Sequence, residues 1–140
     1  MRVMGRTAEA AMRLDPPEAV SATQTPVRRV PAVLATATLV HLAEMAAARL
    51  MAPALRHGES SVTVSTNLHH AAVSRLAGGP LRAVASAGCV EGRLHRFRVE
   101  VFDAGGLVAS VLHTRAVVVA RRVEALARRR AGQPAMLLAP

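Results

Sequence analysis

The chain has 140 residues, which is enough for one domain with a buried core and short tails. Its single cysteine, Cys89, excludes a framework of internal disulfides and is typical of a reducing compartment. Charged residues interrupt every apolar stretch near the N-terminus, so the pattern of a secretory signal is missing and we expect the protein in the cytoplasm.

The net charge of +9 depends on arginine alone, because the chain contains no lysine. Arginine neutralises phosphates, so such a charge invites a nucleic-acid interpretation. Phe97 and Phe102 are the only aromatic residues among Phe, Tyr and Trp, however, so side chains on which bases could stack are nearly missing. Abundant arginine and alanine are also what a GC-rich coding sequence gives to any protein. We therefore predict no nucleic-acid partner.

Three regions are predicted along the chain. Residues 1–25 show no sustained period and are expected to be disordered, with at most a helical turn from Ala8 to Leu14. Residues 26–122 are expected to form the folded domain, in which Val27 to Val33 is broken by a proline and would be at best an edge strand. Residues 123–140 are expected to form a tail that is first basic and then apolar.

The most apolar part of the chain lies between Pro31 and Pro53, with the sequence PAVLATATLVHLAEMAAARLMAP. Proline cannot continue a helix interior, so these two residues limit a helix that begins near Thr36 or Thr38 and ends at Met51. A helix that is apolar nearly all round is buried in a core or in a membrane. Three ionisable side chains in so short a run argue against a span, which needs about 20 predominantly apolar residues. We predict a central core helix and no membrane partner.

Four strands are predicted after this helix. The first, Ser61 to Asn67, alternates apolar and hydroxyl residues with the period of two that is typical of a half-buried strand. The other three are Leu81 to Val90, Leu94 to Phe102 and Leu107 to Ala120, and Glu91-Gly92-Arg93 has the composition of a hairpin turn. The predicted fold is α+β, with one buried helix followed by four antiparallel strands that wrap it.

A basic segment follows the last predicted strand. Arg121 to Arg130 contains five arginines around Val123 and Leu126, which could form a short amphipathic helix. A solvated tail is the favoured interpretation. A nucleic-acid or membrane-surface role for this segment is the weakest of the functional hypotheses, and a salt titration against DNA would test it.

Glu44 is the first candidate for a functional residue. A carboxylate inside an apolar helix needs a partner, because burying it unpaired costs on the order of several kcal/mol. Thr36 lies eight positions earlier, about 80° around the helix axis from Glu44 and on the same broad face. From spacing alone the favoured roles are structural: Glu44 would pair with Arg49 or a partner chain, and Thr36 would cap the helix.

Three segments carry a resemblance in their order and spacing. They are PAVLATATLVHLAEMAAARLMAP, GESSVTVSTNLHHAAV and VEGRLHRFRVEVFDAGGLVASVLHTRAVV. Together they resemble the fluoroacetyl-CoA thioesterase-like family of hot-dog enzymes, over roughly Pro31 to Val119. The hot-dog fold of that family, an antiparallel sheet wrapped around one long central helix, agrees with the elements predicted above.

The resemblance implies a catalytic set of Thr, Glu and His. Carried over position by position, these residues are Thr36, Glu44 and His69, the last within LHHAAV. His70 stands where the family usually has an apolar or small residue, so it is the alternative to His69. His113 matches a position on the last strand where the family often has His, and we expect it to be structural or to line a pocket.

The resemblance also implies the hydrolysis of a small or medium acyl-CoA or acyl-carrier thioester by a homodimer. No cofactor is expected, because coenzyme A enters only as part of the substrate. Glu44 would act as general base on water or as a nucleophile, and His69 would shuttle the proton. Thr36 would orient the water or the carboxylate, or would itself be the nucleophile. The scarcity of aromatic residues argues against carrying over fluoroacetyl specificity.

A non-catalytic acyl-CoA or acyl-carrier binding protein on the same fold is the alternative function. The intact set of Thr36, Glu44 and His69 favours the enzyme, since a pure binding protein has no need of these three residues at these positions. No metal site is predicted, because one cysteine and the adjacent His69 and His70 do not have the spacing of metal ligands.

Overall fold

The computed structural model describes residues 6–12, 36–74 and 80–130 of the chain. In chain order the elements are β1 (Thr7–Met12), α1 (Thr36–Met51), β2 (Glu59–His70), β3 (Leu81–Glu91), β4 (Leu94–Asp103), β5 (Gly106–Val119) and α2 (Ala120–Arg130). A short 3-10 turn, Ala52–Ala54, ends α1 next to Pro53, as the proline predicts. The segment Val27 to Val33, which was expected to be at best an edge strand, and the end of the predicted tail, residues 131–140, lie outside the described residues.

All five strands form one antiparallel sheet in the order β1-β3-β4-β5-β2. The hairpin between β3 and β4 turns at Gly92, which has a positive φ of 60° that glycine adopts at little cost. The strand β2 lies at one edge of the sheet and β1 at the other. The predicted helix and the four strands after it are confirmed.

The core lies between α1 and one face of the sheet, called here the inner face. Seven residues of α1 are buried, and three of them are alanines, whose small side chains allow a helix to approach a sheet closely. The buried residues are Leu39, Leu42, Ala43, Ala46, Ala47, Leu50 and Met51. The sheet contributes alternate residues, among them Phe97, Val99, Val101, Val108 and Val111. Exclusion of these apolar side chains from water is the main force that holds the helix on the sheet.

The N-terminal strand β1 corrects the expectation that residues 1–25 are disordered with at most a helical turn near Ala8. Residues Thr7–Met12 pair with β3 along their whole length, and Ala10 is 1% exposed in the core. The carboxylate of Glu9 lies 3.1 Å from the Arg82 guanidinium on the neighbouring strand. Alanine favours helix in isolation, but pairing with a sheet edge and burial of Ala10 outweigh that weak preference.

The basic segment also differs from expectation, because it forms the helix α2 rather than a solvated tail. Its first residue is tied to the domain by a hydrogen bond of 3.0 Å from the Ala120 N–H to the Gly58 carbonyl. None of its side chains is fully buried, so its arginines are solvated as predicted even though the backbone is helical. Neither α1 nor α2 combines the length and the apolar character that a bilayer-spanning helix needs.

A β-bulge in β2 determines which side chains reach α1. Thr63 is paired with Arg115, whereas Ser65, two residues later, is paired with Thr114, so β2 contains one extra residue. An extra residue moves every later side chain to the other face of the sheet. Thr63 and Thr66, which are three positions apart, both make contacts on the inner face as a result.

Candidate active site

Glu44 lies on α1 and faces β2 and β5. Its Oε1 accepts a hydrogen bond of 2.7 Å from the Thr63 hydroxyl and lies 3.6 Å from Nη1 of Arg115. The Thr63 hydrogen bond lowers the pKa of Glu44 from its ordinary value, partial burial opposes this, and the charge of Arg115 adds to the lowering, as does that of His113 at a pH low enough to protonate it. Arg49, the partner that spacing suggested, instead donates to the Glu9 carbonyl oxygen. Glu44 is therefore an ionised, half-buried carboxylate that sheet residues hold.

Arg115 is the cation of the site, and sequence reasoning missed it. Its side chain is 6% exposed, and its guanidinium donates to Ser61 Oγ at 2.9 Å, Ser61 O at 2.8 Å and Thr63 Oγ1 at 3.1 Å. A buried guanidinium needs several acceptors, and these three oxygens fix it in one geometry. The sequence contains a signal that could have revealed Arg115. Side chains alternate between the two faces along β5, so Val111, His113 and Arg115 share the inner face, and an arginine on that face requires an anion.

His113 connects Arg115 to the strand β2. It is 1% exposed, and its Nε2 lies 3.3 Å from Nη1 of Arg115, which can only donate. Nε2 is therefore the acceptor, and Nδ1 carries the hydrogen that points to the Thr66 hydroxyl at 2.8 Å. Burial lowers the pKa of His113, with a smaller contribution from Arg115, while Glu44 opposes the shift. His113 is thus a neutral, buried histidine within the hydrogen-bond network around Glu44.

The second candidate pair joins Thr36, the first residue of α1, to His70, the last residue of β2. The Thr36 hydroxyl lies 3.0 Å from Nε2 of His70, and both side chains are exposed. The chain after His70 is held against β5, because the N–H groups of Ala71 and Ala72 both donate to the Val108 carbonyl at 2.7 and 3.1 Å. This anchoring gives His70 a defined position above the N-terminus of α1.

His69, the histidine predicted from the resemblance, lies on the other side of the sheet. It lines a shallow cavity of about 270 Å³ on the outer face, together with Asn67, Arg98, Ser110, Val111 and Leu112. The structure therefore brings Thr36 together with His70 and Glu44 together with Thr63, but it does not bring His69 to either pair. The bulge in β2 is the physical reason, because without that extra residue Thr63 and His69 would share a face.

The two bonded pairs lie along the same border between α1 and β2. Thr36 and Glu44 are eight residues apart, which corresponds to about 12 Å of helix rise. Next to Thr36 the first N–H groups of α1 have no partner within the helix, and the helix dipole favours negative charge there. Within the described residues, no group of three or more His, Cys, Asp or Glu side chains could hold a metal ion. The chemistry available is that of a carboxylate, an imidazole and a hydroxyl.

Comparison with known proteins shows the family to which the chain belongs. Residues 17–121 match the model of the fluoroacetyl-CoA-specific thioesterase family, FlK. The solved structure of the fluoroacetyl-CoA thioesterase FlK is 30% identical to the chain, with a TM-score of 0.83 over 93% of this chain and 97% of FlK. No curated protein gives a significant match in the search by sequence.

Two further solved structures are similar. A hypothetical protein of Thermus thermophilus, a thioesterase superfamily member, is 26% identical with a TM-score of 0.83, covering 92% of this chain and 93% of that one. A hot-dog-like protein of Thermanaerovibrio acidaminovorans is 21% identical with a TM-score of 0.80, covering 93% of each chain, and this likeness bears on the fold alone. The predicted hot-dog fold is confirmed, and the chain belongs to the FlK family of fluoroacetyl-CoA-specific thioesterases, which are enzymes that hydrolyse thioesters.

Proposed function

We propose that this protein is an acyl-CoA thioesterase that hydrolyses a small or medium acyl-CoA thioester. The observation that carries the proposal is an ionised carboxylate, Glu44, held by Thr63 and Arg115 on the helix whose first residue contacts His70. Membership of a thioesterase family supports it, as does a structure of a FlK mutant in complex with acetyl-CoA. Fluoroacetyl specificity is not part of the proposal.

Glu44 and His70 divide the proton transfers of the proposed reaction. Because about 12 Å of helix rise separates Thr36 from Glu44 along α1, we place Glu44 of one subunit and the Thr36–His70 pair of the other subunit in one site of the homodimer proposed below. Glu44 takes a proton from water, whose oxygen forms a bond to the thioester carbonyl carbon. As the tetrahedral intermediate collapses the carbon–sulfur bond breaks, and the imidazole of His70 passes the proton that Glu44 took from water to the leaving thiolate, so that no group of the protein gains or loses a proton overall. Direct attack by the Glu44 carboxylate, followed by hydrolysis of the anhydride, uses the same groups. His70 replaces His69 in this role, because His70 is the histidine bonded to Thr36.

The N-terminus of α1 is proposed as the site that stabilises the oxyanion. Its first N–H groups, which have no partner within the helix, and the helix dipole favour the negative charge that develops on the carbonyl oxygen during attack. Thr36 stands at this terminus, where its hydroxyl can orient the attacking water or His70. The reaction needs no cofactor, because coenzyme A is part of the substrate.

A homodimer is proposed as the working state of the enzyme. The edge strand β2 carries Thr63 and His70, and among the described residues no strand pairs with its outer edge, so a second copy can extend the sheet there by antiparallel pairing. Val64, the extra residue of the bulge, is 48% exposed and would be covered by such pairing. Sedimentation at micromolar concentration tests this proposal, since a monomer there would contradict it.

The remaining proposals concern the surroundings of the enzyme. We propose that it works in the cytoplasm on free acyl-CoA or acyl-carrier thioesters, with neither a nucleic-acid nor a membrane partner. The exposed arginines of α2 are the part of the surface that could contradict this. A titration with DNA at increasing salt is the test, because phosphate binding weakens steeply as salt rises.

A panel of acyl-CoA thioesters of increasing chain length, read by thiol release, tests the catalytic proposal. Hydrolysis of at least one member, reduced by Glu44→Gln, is the expected result. The alternative, a binding protein on the same fold, predicts that acyl-CoA binds to the purified protein without any thiol release. Acyl-pantetheine thioesters in the same panel separate recognition of the coenzyme nucleotide from recognition of the acyl group.

A further inference from the structure

Thr63 occupies an unusual position between two opposite charges. Its hydroxyl oxygen lies 2.7 Å from Oε1 of Glu44 and 3.1 Å from Nη1 of Arg115. A guanidinium only donates hydrogen bonds and a carboxylate only accepts them. The hydroxyl must therefore accept from Arg115 and donate its single hydrogen to Glu44, so the direction of the chain of hydrogen bonds is fixed.

The surrounding strands hold this hydroxyl in place. Thr63 and Arg115 are direct partners across the β2–β5 ladder, and the guanidinium is further fixed by Ser61 and His113. The register shift of β2 begins immediately after Thr63, so the bulge keeps this residue on the inner face while later residues change face. A donor that is fixed before substrate binds costs no reorganisation during the reaction.

We propose that Thr63 is a positioning residue that holds Glu44 ionised and oriented for attack on the thioester or on water. Thr63 and Arg115 both approach Oε1, so neither of them blocks Oε2, the oxygen that can face the reacting group. The role rests on the function proposed above. A hydrogen bond donated to a charged carboxylate is stronger than one between neutral groups and stabilises the ionised form.

Two other charged or titratable groups act on the same carboxylate and must be separated from Thr63. Arg115 and His113 face it from β5; Arg115 lowers the pKa of Glu44 through its charge and through a hydrogen bond, and His113 lowers it when the ring is protonated. On β4 the buried His95 lies opposite Arg115 in the ladder, and on β2 His70 contacts Thr36. The test must therefore remove the Thr63 hydroxyl while it leaves these groups unchanged.

The decisive variant is Thr63→Val, which keeps the shape of the side chain and removes only the hydroxyl. With a substrate from the acyl-CoA panel, we expect kcat to fall by about 10- to 100-fold, the scale of misplaced catalytic groups, with a smaller change in KM. The acidic limb of the pH–rate profile should move to higher pH, because Glu44 loses the donor that favours its charged form. Thr63→Ser keeps the hydroxyl and should restore both quantities.

The matched control is Thr114→Val, which makes the same chemical change on the neighbouring strand β5 without a contact to Glu44. Its kcat and pH profile should equal those of the wild-type protein. A kcat and an acidic limb that are unchanged in Thr63→Val would overturn the proposal. Equal losses in Thr63→Val and Thr63→Ser, with equal decreases in Tm, would also overturn it, since they would show a packing role.

A second measurement does not depend on turnover. NMR titration of the Glu44 side-chain carboxyl in the wild type and in both variants reports its pKa directly, and Thr63→Val should raise that pKa whereas Thr63→Ser should not. If the wild type hydrolyses no thioester of the panel and the pKa shift still occurs, the thioesterase proposal fails, whereas the proposal that Thr63 keeps Glu44 ionised is supported. If the shift is missing, the role of Thr63 is overturned whatever the activity.

Discussion

His69 and His70 are neighbours in sequence, but the structure gives them opposite surroundings. His70 lies on the inner side of β2 with Nε2 3.0 Å from the Thr36 hydroxyl, whereas His69 lines the cavity on the outer face with Arg98 and Asn67. Successive residues of a strand point to opposite faces, so one position decides whether an imidazole contacts α1 or lies on the outer face of the sheet. The two faces of the sheet can thus be compared residue by residue, with the inner face as the site and the outer face as its control.

The largest loss of turnover should come from a change of Glu44 itself. Glu44→Gln keeps the size of the side chain but removes the base, so we expect turnover of a good acyl-CoA substrate to fall by at least ~100-fold. Glu91→Gln is the matched change at an exposed carboxylate, paired with Arg96 at 3.2 Å, and it should leave turnover unchanged. Thiol release measures both variants, and full turnover in Glu44→Gln would contradict the mechanism.

The histidine pair provides the next and most direct comparison. His70→Ala should lower kcat by about 100-fold, because the proton donor to the leaving thiolate is lost, while His69→Ala should change it by less than about 3-fold. Tm of both variants shows whether a loss of activity is a loss of folding. The reverse result, with His69 essential and His70 dispensable, would return the catalytic role to the histidine inferred from the resemblance.

The bulge explains why the alternation of residues along β2 does not show which of His69 and His70 faces α1. The two prolines limit the helix, and of the two predicted starts, Thr36 and Thr38, the structure shows Thr36, with the predicted end at Met51. In a strand the same reasoning needs an unbroken period of two, and one extra residue between Thr63 and Ser65 reverses it. No turn or proline in ESSVTVSTNLHH marks that insertion, so only the observed register reveals it.

The strand β1 and Arg115 were missed for different physical reasons. The alanine-rich segment Thr7–Met12 has no strand pattern of its own, and its conformation comes from pairing with β3, which no local rule can supply. Arg115 was visible in the sequence, since it follows His113 by two positions on an otherwise apolar face. Its partner could not be named, because Glu44 and Arg115 are distant in sequence and meet only when α1 packs on the sheet.

Thr36 should show a smaller effect than Glu44 or His70. If its hydroxyl only orients His70 or water, Thr36→Ala should lower kcat by about 10-fold and Thr36→Ser should be close to wild type. A loss in Thr36→Ala as large as that in Glu44→Gln would instead identify Thr36 as the nucleophile. Mass spectrometry of the acylated protein distinguishes the two cases, since an acyl group on Thr36 identifies it as the nucleophile, whereas a burst of thiol alone would also follow from an anhydride on Glu44.

The smallest expected effect is on the pH dependence of stability. It is measured by comparing a variant of His113, on the inner face, with a variant of His69, on the outer face. Burial lowers the pKa of His113 below its ordinary value of 6.5, so the unfolded chain binds a proton at a pH where the native protein does not. Stability is therefore fully present above about pH 6.5 and decreases as the pH falls through that value towards the native pKa. His95, which is also buried and has a lowered pKa, adds to the same decrease.

His113→Gln removes one of these two groups and can still hydrogen-bond to Thr66. We expect its Tm to change less between about pH 7.5 and 5.5 than that of the wild type, a range that lies above the ordinary pKa of carboxylates. His69→Gln is the matched variant and should keep the wild-type slope, because that side chain is exposed in the folded and the unfolded state alike. An equal slope in wild type and His113→Gln would mean that protonation of His113 is not coupled to unfolding, and the hydrogen bond from Arg115 to a neutral imidazole would then have to be reassigned.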